Sequence, residues 1–463
     1  MSEDVGLAQG TMVFLGLSVG GGLILLLVRD SRVEFNRYLK LFLIAYAVRY
    51  AMAVAIYAGG LVSVLKDEDA SGWTGGVALY QIWCDQNDTL FDIPYGLSYM
   101  FGDQQPGPNF LRAQHRGFYY VTAAIFFVTN SPYRLVAAAL NGFAGALTVA
   151  FSAMTAGRLF GAAAARRTGW YVCFFPSMII WSAMTIKEPI VICLETAVLY
   201  NCICMRQKRY SLVNLAGAAL FSAFLAPFRL YGCWVFAFLT ILCLLVPDWS
   251  TAGRETLRTH KRCALLCLPL FLYFAYQLLM KELVSQKFDL SYVQSFRGSI
   301  SQGGEINGAG SGVESSFDMT SPLGLGFAIL FGGAHLLLAP FPWQLGGASL
   351  RMLFTLPELL FWWYLFAFGV VPGTVYTVRH RLSETWMLFI VLLTFGTLYS
   401  VMFGNIGLIF RQRAQLLPIL LTLGAVGRQR VSERRKTLRQ SAPRFISPTG
   451  LPAADPPPAG HPL

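Results

Sequence analysis

The run Leu41–Leu65, LFLIAYAVRYAMAVAIYAGGLVSVL, passes directly into Lys66-Asp67-Glu68-Asp69. As a helix rising about 1.5 Å per residue, the run is long enough to cross the roughly 30 Å hydrocarbon core of a bilayer. Three adjacent carboxylates at its end are costly near lipid, and their mutual repulsion opposes full ionisation. Two explanations compete: a solvated helix terminus, or a general base that also offers metal ligands, facing an acceptor. Either way the stretch predicts a membrane-spanning helix with its acidic end on one surface.

Composition extends that reading to the whole chain. Its 463 residues are 55% hydrophobic and 13% charged, against about 25% charged in soluble domains. The mean hydropathy is +0.53. The formal net charge of +12 does not point to nucleic acid, because Lys and Arg fall in short loops between apolar runs. Most of the nine cysteines (Cys173, Cys193, Cys202, Cys204, Cys233, Cys243, Cys267) lie inside apolar runs, where they act as small hydrophobes. Cys84 sits alone in a polar segment, so no disulfide framework is expected. No basic stretch precedes the first apolar run, which begins after Glu3 and Asp4, so no cleavable signal peptide is expected.

Runs of spanning length predict an all-α, polytopic bundle of about eleven spans: 9–28, 41–65, 134–157, 168–185, 189–205, 213–228, 231–247, 264–281, 351–376, 384–403 and 410–427. Basic loops at 29–40, 158–167, 206–209, 254–262 and 379–381, and the tail from Arg428, set the cytoplasmic side. The alternation closes only if 117–130 and 323–340 do not cross, so both are read as re-entrant or interfacial segments on the outer face. The second ends in Pro340-Phe341-Pro342-Trp343, two helix breakers within an interfacial anchor. The outer loops are then 66–133 and 282–350, the latter Gly/Ser-rich between Ser295 and Ser316. Residues 1–427 form one transmembrane domain. Residues 428–463, basic and then Pro-rich, are expected to be a disordered cytoplasmic tail whose basic part rests on anionic lipid.

Against this topology four cations stand on the outer side: Lys187, Arg229, Arg411 and Arg413. The bland alternative is snorkelling to lipid headgroups. The functional one is a phosphate clamp, since a guanidinium fork matches phosphate oxygens and offsets charge that builds on a departing phosphate. Glu188 follows Lys187 in a tight outer hairpin. It is either half of a local ion pair or a second carboxylate lining the same cavity, where it could help hold a divalent cation. His115 stands before segment 117–130, as a surface residue or a substrate contact. His335 reads as a packed residue, and Trp83, Trp343 and Trp363 as interfacial aromatics. Glu195 and Glu358 lie in or beside apolar runs and require partners. No Walker loop, His/Cys metal spacing or nucleophile elbow is present.

The order of these features resembles the GT-C superfamily of membrane glycosyltransferases, which includes protein O-mannosyltransferases and lipid A aminoarabinose transferases. The acidic cluster Asp67-Glu68-Asp69 is followed by Trp73, and the first outer loop closes on His115-Arg116-Gly117-Phe118-Tyr119-Tyr120. A helix opens Arg134…Asn141-Gly142. A Pro176-Ser177…Trp181-Ser182…Lys187-Glu188 block and an Arg411-Gln412-Arg413…Pro418 block follow. The similarity spans about residues 41–425. Two features depart from the pattern: the extra first span, and Glu188 where oligosaccharyltransferases carry an Asp-x-Asp pair.

The resemblance implies transfer of a sugar from a polyprenyl-phosphate donor to a hydroxyl of a lipid, glycan or protein acceptor. Transfer would occur on the outer face of a bacterial inner membrane, with inversion. Asp69 is the implied base, with Asp67 or Glu68 as substitutes. Arg411, Arg413 and Arg229 would hold the donor phosphate, with Lys187 and Glu188 lining the cavity. The resemblance implies no certain cofactor, and a divalent cation, Mg or Mn, stays open. A polysaccharide polymerase or ligase, or a transporter or flippase of a lipid-linked or anionic solute, would use the same arginines. The transporter should show inverted repeats and charges near the bilayer midplane.

Overall fold

The computed structural model describes residues 5–28, 35–61, 72–85, 116–207, 212–246, 321–342, 356–402 and 406–441, with single positions between 265 and 319. Among these residues there are fourteen helices and no strand. In chain order they are α1 (Leu7–Val28), α2 (Phe35–Tyr57), α3 (Gly72–Asp85), α4 (Arg116–Thr129), α5 (Arg134–Phe160), α6 (Ala162–Phe174) and α7 (Pro176–Ala183). Then come α8 (Glu188–Gln207), α9 (Leu212–Leu225), α10 (Leu230–Leu245), α11 (Pro322–Leu338), α12 (Leu356–His380), α13 (Leu382–Met402) and α14 (Ile406–Ser441). Six are long and apolar enough to cross a membrane: α1, α2, α5, α8, α12 and α13.

Helix α5 is the axle of the bundle, with α8 beside it. Their apolar stretches are 89% and 83% buried, against 17% for α1. The composition of α5 explains its place: Ala137-Ala138-Ala139, Gly142, Ala144-Gly145-Ala146 and Ala150 bring neighbouring backbones close. Gly145 is required there, because a Cβ would lie 2.3 Å from Ser182 Oγ and 2.7 Å from Arg49 Nε. Helix α1 instead turns Leu15, Val19 and Leu23 outward, as a lipid-facing helix does.

Several boundaries differ from those the apolar runs suggest. The expected span 41–65 is α2, which begins at Phe35 and stops at Tyr57. The chain leaves the helix through Gly59-Gly60, where Gly60 has φ +72°, the left-handed conformation that ends helices. Asp67, Glu68 and Asp69 lie outside the described residues. The expected loop 66–133 contains α3 and α4, which pack on each other through Leu79, Trp83, Tyr120 and Ala123. The expected span 168–185 is two helices, α6 and α7, separated at Phe175, which is extended (φ −68°, ψ 118°) ahead of Pro176.

Helices α9 and α10 match 213–228 and 231–247 but are shorter, at 14 and 16 residues. Span 264–281 lies outside the described residues. The tail expected to be disordered from Arg428 is helical as far as Ser441. No Gly or Pro interrupts 428–441, and the Arg430–Glu433 pair at 3.1 Å supports the added turns.

In α12 a π-helical turn, Phe366–Val370, precedes Pro372, which cannot donate to the helix ladder. Just beyond, α12 and α14 meet backbone to backbone: a Cβ on Gly373 would lie 1.9 Å from the Leu423 carbonyl oxygen.

Helix ends sort into two layers. At one end, Leu135 N donates to Val5 O (3.2 Å), Gly117 N to Pro227 O (3.1 Å) and Thr185 N to Tyr57 Oη (3.0 Å). At the other, Arg206 donates to the carbonyls of Val246, Ser383 and Glu384, and Gln207 to that of Arg158. The first layer also holds the cluster described next.

Candidate functional site

The connection between α7 and α8 is a bent tetrapeptide, Met184–Lys187, that three groups hold in place. Asn141, two turns into α5, donates from one amide nitrogen to the carbonyls of Met184 (2.6 Å) and Ile186 (2.7 Å). Tyr57, the last residue of α2, meets Thr185 at both its backbone N–H and its hydroxyl. Ser182 closes α7 by donating to Met178 O (2.6 Å). The Asn-Gly and Trp-Ser…Lys-Glu stretches of the sequence are thus one construction, whose product is a fixed position for Glu188.

Glu188 is the first residue of α8, where a carboxylate is favoured by the exposed N–H groups of the helix start. Its side chain is 1% exposed, and each oxygen takes a different guanidinium. Oε1 accepts from Arg229 Nη2 at 3.2 Å and Oε2 from Arg411 Nη2 at 2.6 Å. Arg229 caps the start of α10 after the turn at Pro227-Phe228, and Arg411 lies in the second turn of α14. One carboxylate therefore ties together three helices that are far apart in sequence. Lys187, half-buried, adds a further positive charge beside it.

Arg229 is held on its far side by polar groups of α10, α13 and α14. Nη1 donates to Tyr231 Oη (2.6 Å), Tyr399 Oη (3.1 Å) and Gln412 Oε1 (2.7 Å). With the Gln415 amide turned so that its nitrogen donates to Glu195 Oε1 (3.0 Å), its oxygen accepts from Arg229 Nη2 (3.1 Å). Glu195, buried on α8 two turns beyond Glu188, thereby finds the partner its place in an apolar run demanded. The cluster runs from Glu188 through Arg229 and Gln415 to Glu195, and closes among tightly packed helices.

Arg413 does not join it. Two residues along a helix is a turn of about 200°, so Arg411 and Arg413 project from opposite sides of α14. Arg413 is 1% exposed and donates to Ala339 O (3.0 Å), beyond the end of α11. Its guanidinium stands over the rings of Phe410 (4.4 Å) and Trp362 (5.6 Å), on the side of α12 that carries buried Glu358. Trp362 and Trp363 donate to Leu337 and Leu338, so this group fastens α11, α12 and α14 together.

Of the residues singled out from sequence, the structure brings Glu188, Arg229 and Arg411 into direct contact, with Lys187 adjacent and Arg413 apart. Asp67, Glu68, Asp69 and His115 lie outside the described residues. Trp73 stacks under the Arg134 guanidinium at 4.7 Å. His335 is packed between Phe331 and Phe341. Among the described residues no three His, Cys, Asp or Glu side chains gather as a metal site. Glu188 does not fit as a metal ligand in this arrangement, because both its oxygens already face cations.

Sequence reasoning passed over Tyr57, Tyr231, Tyr399, Gln412 and Gln415. It also passed over Arg49, fully buried in α2, whose guanidinium donates to the carbonyls of Val172 (3.1 Å), Cys173 (3.2 Å) and Ala45 (3.1 Å). A charge inside an apolar run was the available signal for Arg49.

Fold and site together define an all-helical protein built for a membrane, with an ionic centre buried at one end of the bundle. Beyond that class, no family model and no curated protein matches the chain.

Proposed function

We propose that the chain is a GT-C-like membrane glycosyltransferase that moves a sugar from a polyprenyl-phosphate donor to a hydroxyl acceptor. The observation that carries this reading is the meeting of Arg229 and Arg411 on opposite oxygens of Glu188. Two guanidiniums fixed at that spacing are complementary to a phosphate oxyanion. In the reaction an acceptor hydroxyl oxygen bonds to the anomeric carbon. The carbon–oxygen bond to the donor phosphate breaks, and its electron pair leaves with the phosphate. The acceptor proton passes to a carboxylate of the Asp67-Glu68-Asp69 segment, with Asp69 favoured. Arg411 and Arg229 stabilise the negative charge that grows on the departing phosphate, and one displacement inverts the anomeric centre.

The same reading assigns the site end of the bundle to the outer face of a bacterial inner membrane. It keeps about eleven spans and leaves α4 and α11 uncrossed. The contacts at both ends of α4 with site-end elements, Gly117 to Pro227 and Ser131-Tyr133 beside Val5–Leu135, support that placement for α4.

A sugar-free probe tests the phosphate role without knowledge of the sugar. Citronellyl methyl phosphate carries one prenyl-type chain and a singly charged phosphodiester. Purified protein in nanodiscs should bind it, and Arg411→Ala and Arg229→Ala should each weaken binding at least tenfold. Unchanged binding in Arg411→Ala rejects the site.

A further inference from the structure

Glu188 already engages both arginines of the proposed phosphate site. A carboxylate and a phosphodiester each present two charged oxygens on one central atom, and here one oxygen serves each arginine. The groups in direct contact are two guanidiniums and one carboxylate, a sum of +1. Without Glu188 the arginine pair would present +2. In a buried setting such a difference is screened far less by salt and water than at the surface, so it bears on which anion is accepted. Arg229 also keeps one N–H, at Nε, with no acceptor, a donor left for a ligand oxygen while Glu188 stays in place.

We propose that Glu188 is a specificity-determining residue that tunes the arginine pair to a singly charged phosphodiester and against a doubly charged diphosphate diester. The inference rests on the phosphate-binding reading above. It divides the donor class: lipid-linked sugars joined through one phosphate are accepted, and those joined through two are disfavoured.

Two probes that differ by one phosphoryl group, and with it one negative charge, test it: citronellyl methyl phosphate and citronellyl methyl diphosphate, titrated into nanodisc-embedded protein. The wild type should bind the monophosphate at least tenfold more tightly. Glu188→Gln keeps the size of the side chain and removes its charge. It should bind both probes more tightly and gain at least tenfold more for the diphosphate, cancelling or reversing the preference. Glu188→Ala should do the same and covers the case in which the glutamine variant misfolds. Equal gains for both probes, or a wild type that prefers the diphosphate, overturn the proposal while leaving the phosphate site intact. A wild type that binds neither probe overturns the underlying reading itself.

Discussion

The chemistry of single residues turns on neighbours that a linear reading cannot supply. Arg411 and Arg413 look equivalent in the sequence, yet helical geometry sends them to opposite sides of α14. Arg411 is buried against a carboxylate, so Arg411→Ala leaves Glu188 with one cation in place of two. Removing a partner from a buried ion pair costs about 3–5 kcal/mol. Because Arg229 remains, the loss should fall near the lower figure, read as a fall in melting temperature in detergent. A double-mutant cycle should give a larger coupling between Glu188 and Arg411, at 2.6 Å, than between Glu188 and Arg229, at 3.2 Å. Arg413→Gln should lower stability by loosening the hold on Ala339, yet change the affinity for citronellyl methyl phosphate less than threefold. A tenfold loss there would return Arg413 to the phosphate site. Arg229 and Arg411 were legible because, on the topology read from the sequence, they broke a charge rule. Tyr399, Gln412 and Gln415 were not, because neutral polar residues in apolar runs carry no such signature until a charged partner is placed beside them.

Helical elements were legible where apolar length decides, as in α1, α5 and α13, and illegible where one residue interrupts a continuous run. The break between α6 and α7 is of the second kind. Pro176 has no N–H for the Val172 carbonyl and displaces the one Ser177 would offer to Cys173. An unsatisfied carbonyl in a dry bundle costs several kcal/mol. Arg49 meets both oxygens, at 3.1 and 3.2 Å, and the carbonyl dipoles at the end of α6 compensate its charge. The pair is therefore expected to be coupled. Arg49→Met should destabilise by about 2–4 kcal/mol, from two orphaned carbonyls at about 1–3 kcal/mol each, less the relief of removing a buried charge. Pro176→Ala, which restores the helix donor, should recover at least 1 kcal/mol of that loss in the double variant. Strictly additive effects would show that Arg49 and Pro176 act independently. The Asn141 anchor is subject to the same logic. Asn141→Ala abandons the carbonyls of Met184 and Ile186 and should cost about 2–3 kcal/mol, read as a fall in melting temperature in detergent.

Across the whole molecule the two ends of the bundle differ in charge. The site end carries its cations in pairs with acids, rings and carbonyls: Arg411 and Arg229 on Glu188, Arg134 on Trp73, Arg413 on Ala339. The opposite end carries Arg37, Lys40, Arg158, Arg166, Arg167, Arg379, Arg381, Arg428, Arg430 and Arg434, and among its acids Glu384 and Glu433 are matched to Arg381 and Arg430. Insertion tends to retain basic loops in the cytoplasm, and on that rule the proposed topology puts the second layer inside and the ionic centre outside. Two exposed positions report the two layers: Leu61, after the end of α2, and Ser383, at the start of α13. In a background carrying Cys84→Ala, which removes the exposed thiol among the described cysteines, a membrane-impermeant maleimide should label a Leu61→Cys variant in intact cells. The Ser383→Cys variant should react only after the membrane is opened. The reverse pattern would put the arginine pair on the cytoplasmic side, where an outer-face transfer has no access to it. Labelling of both variants from one side would break the two-layer arrangement on which the convergence of α8, α10 and α14 depends.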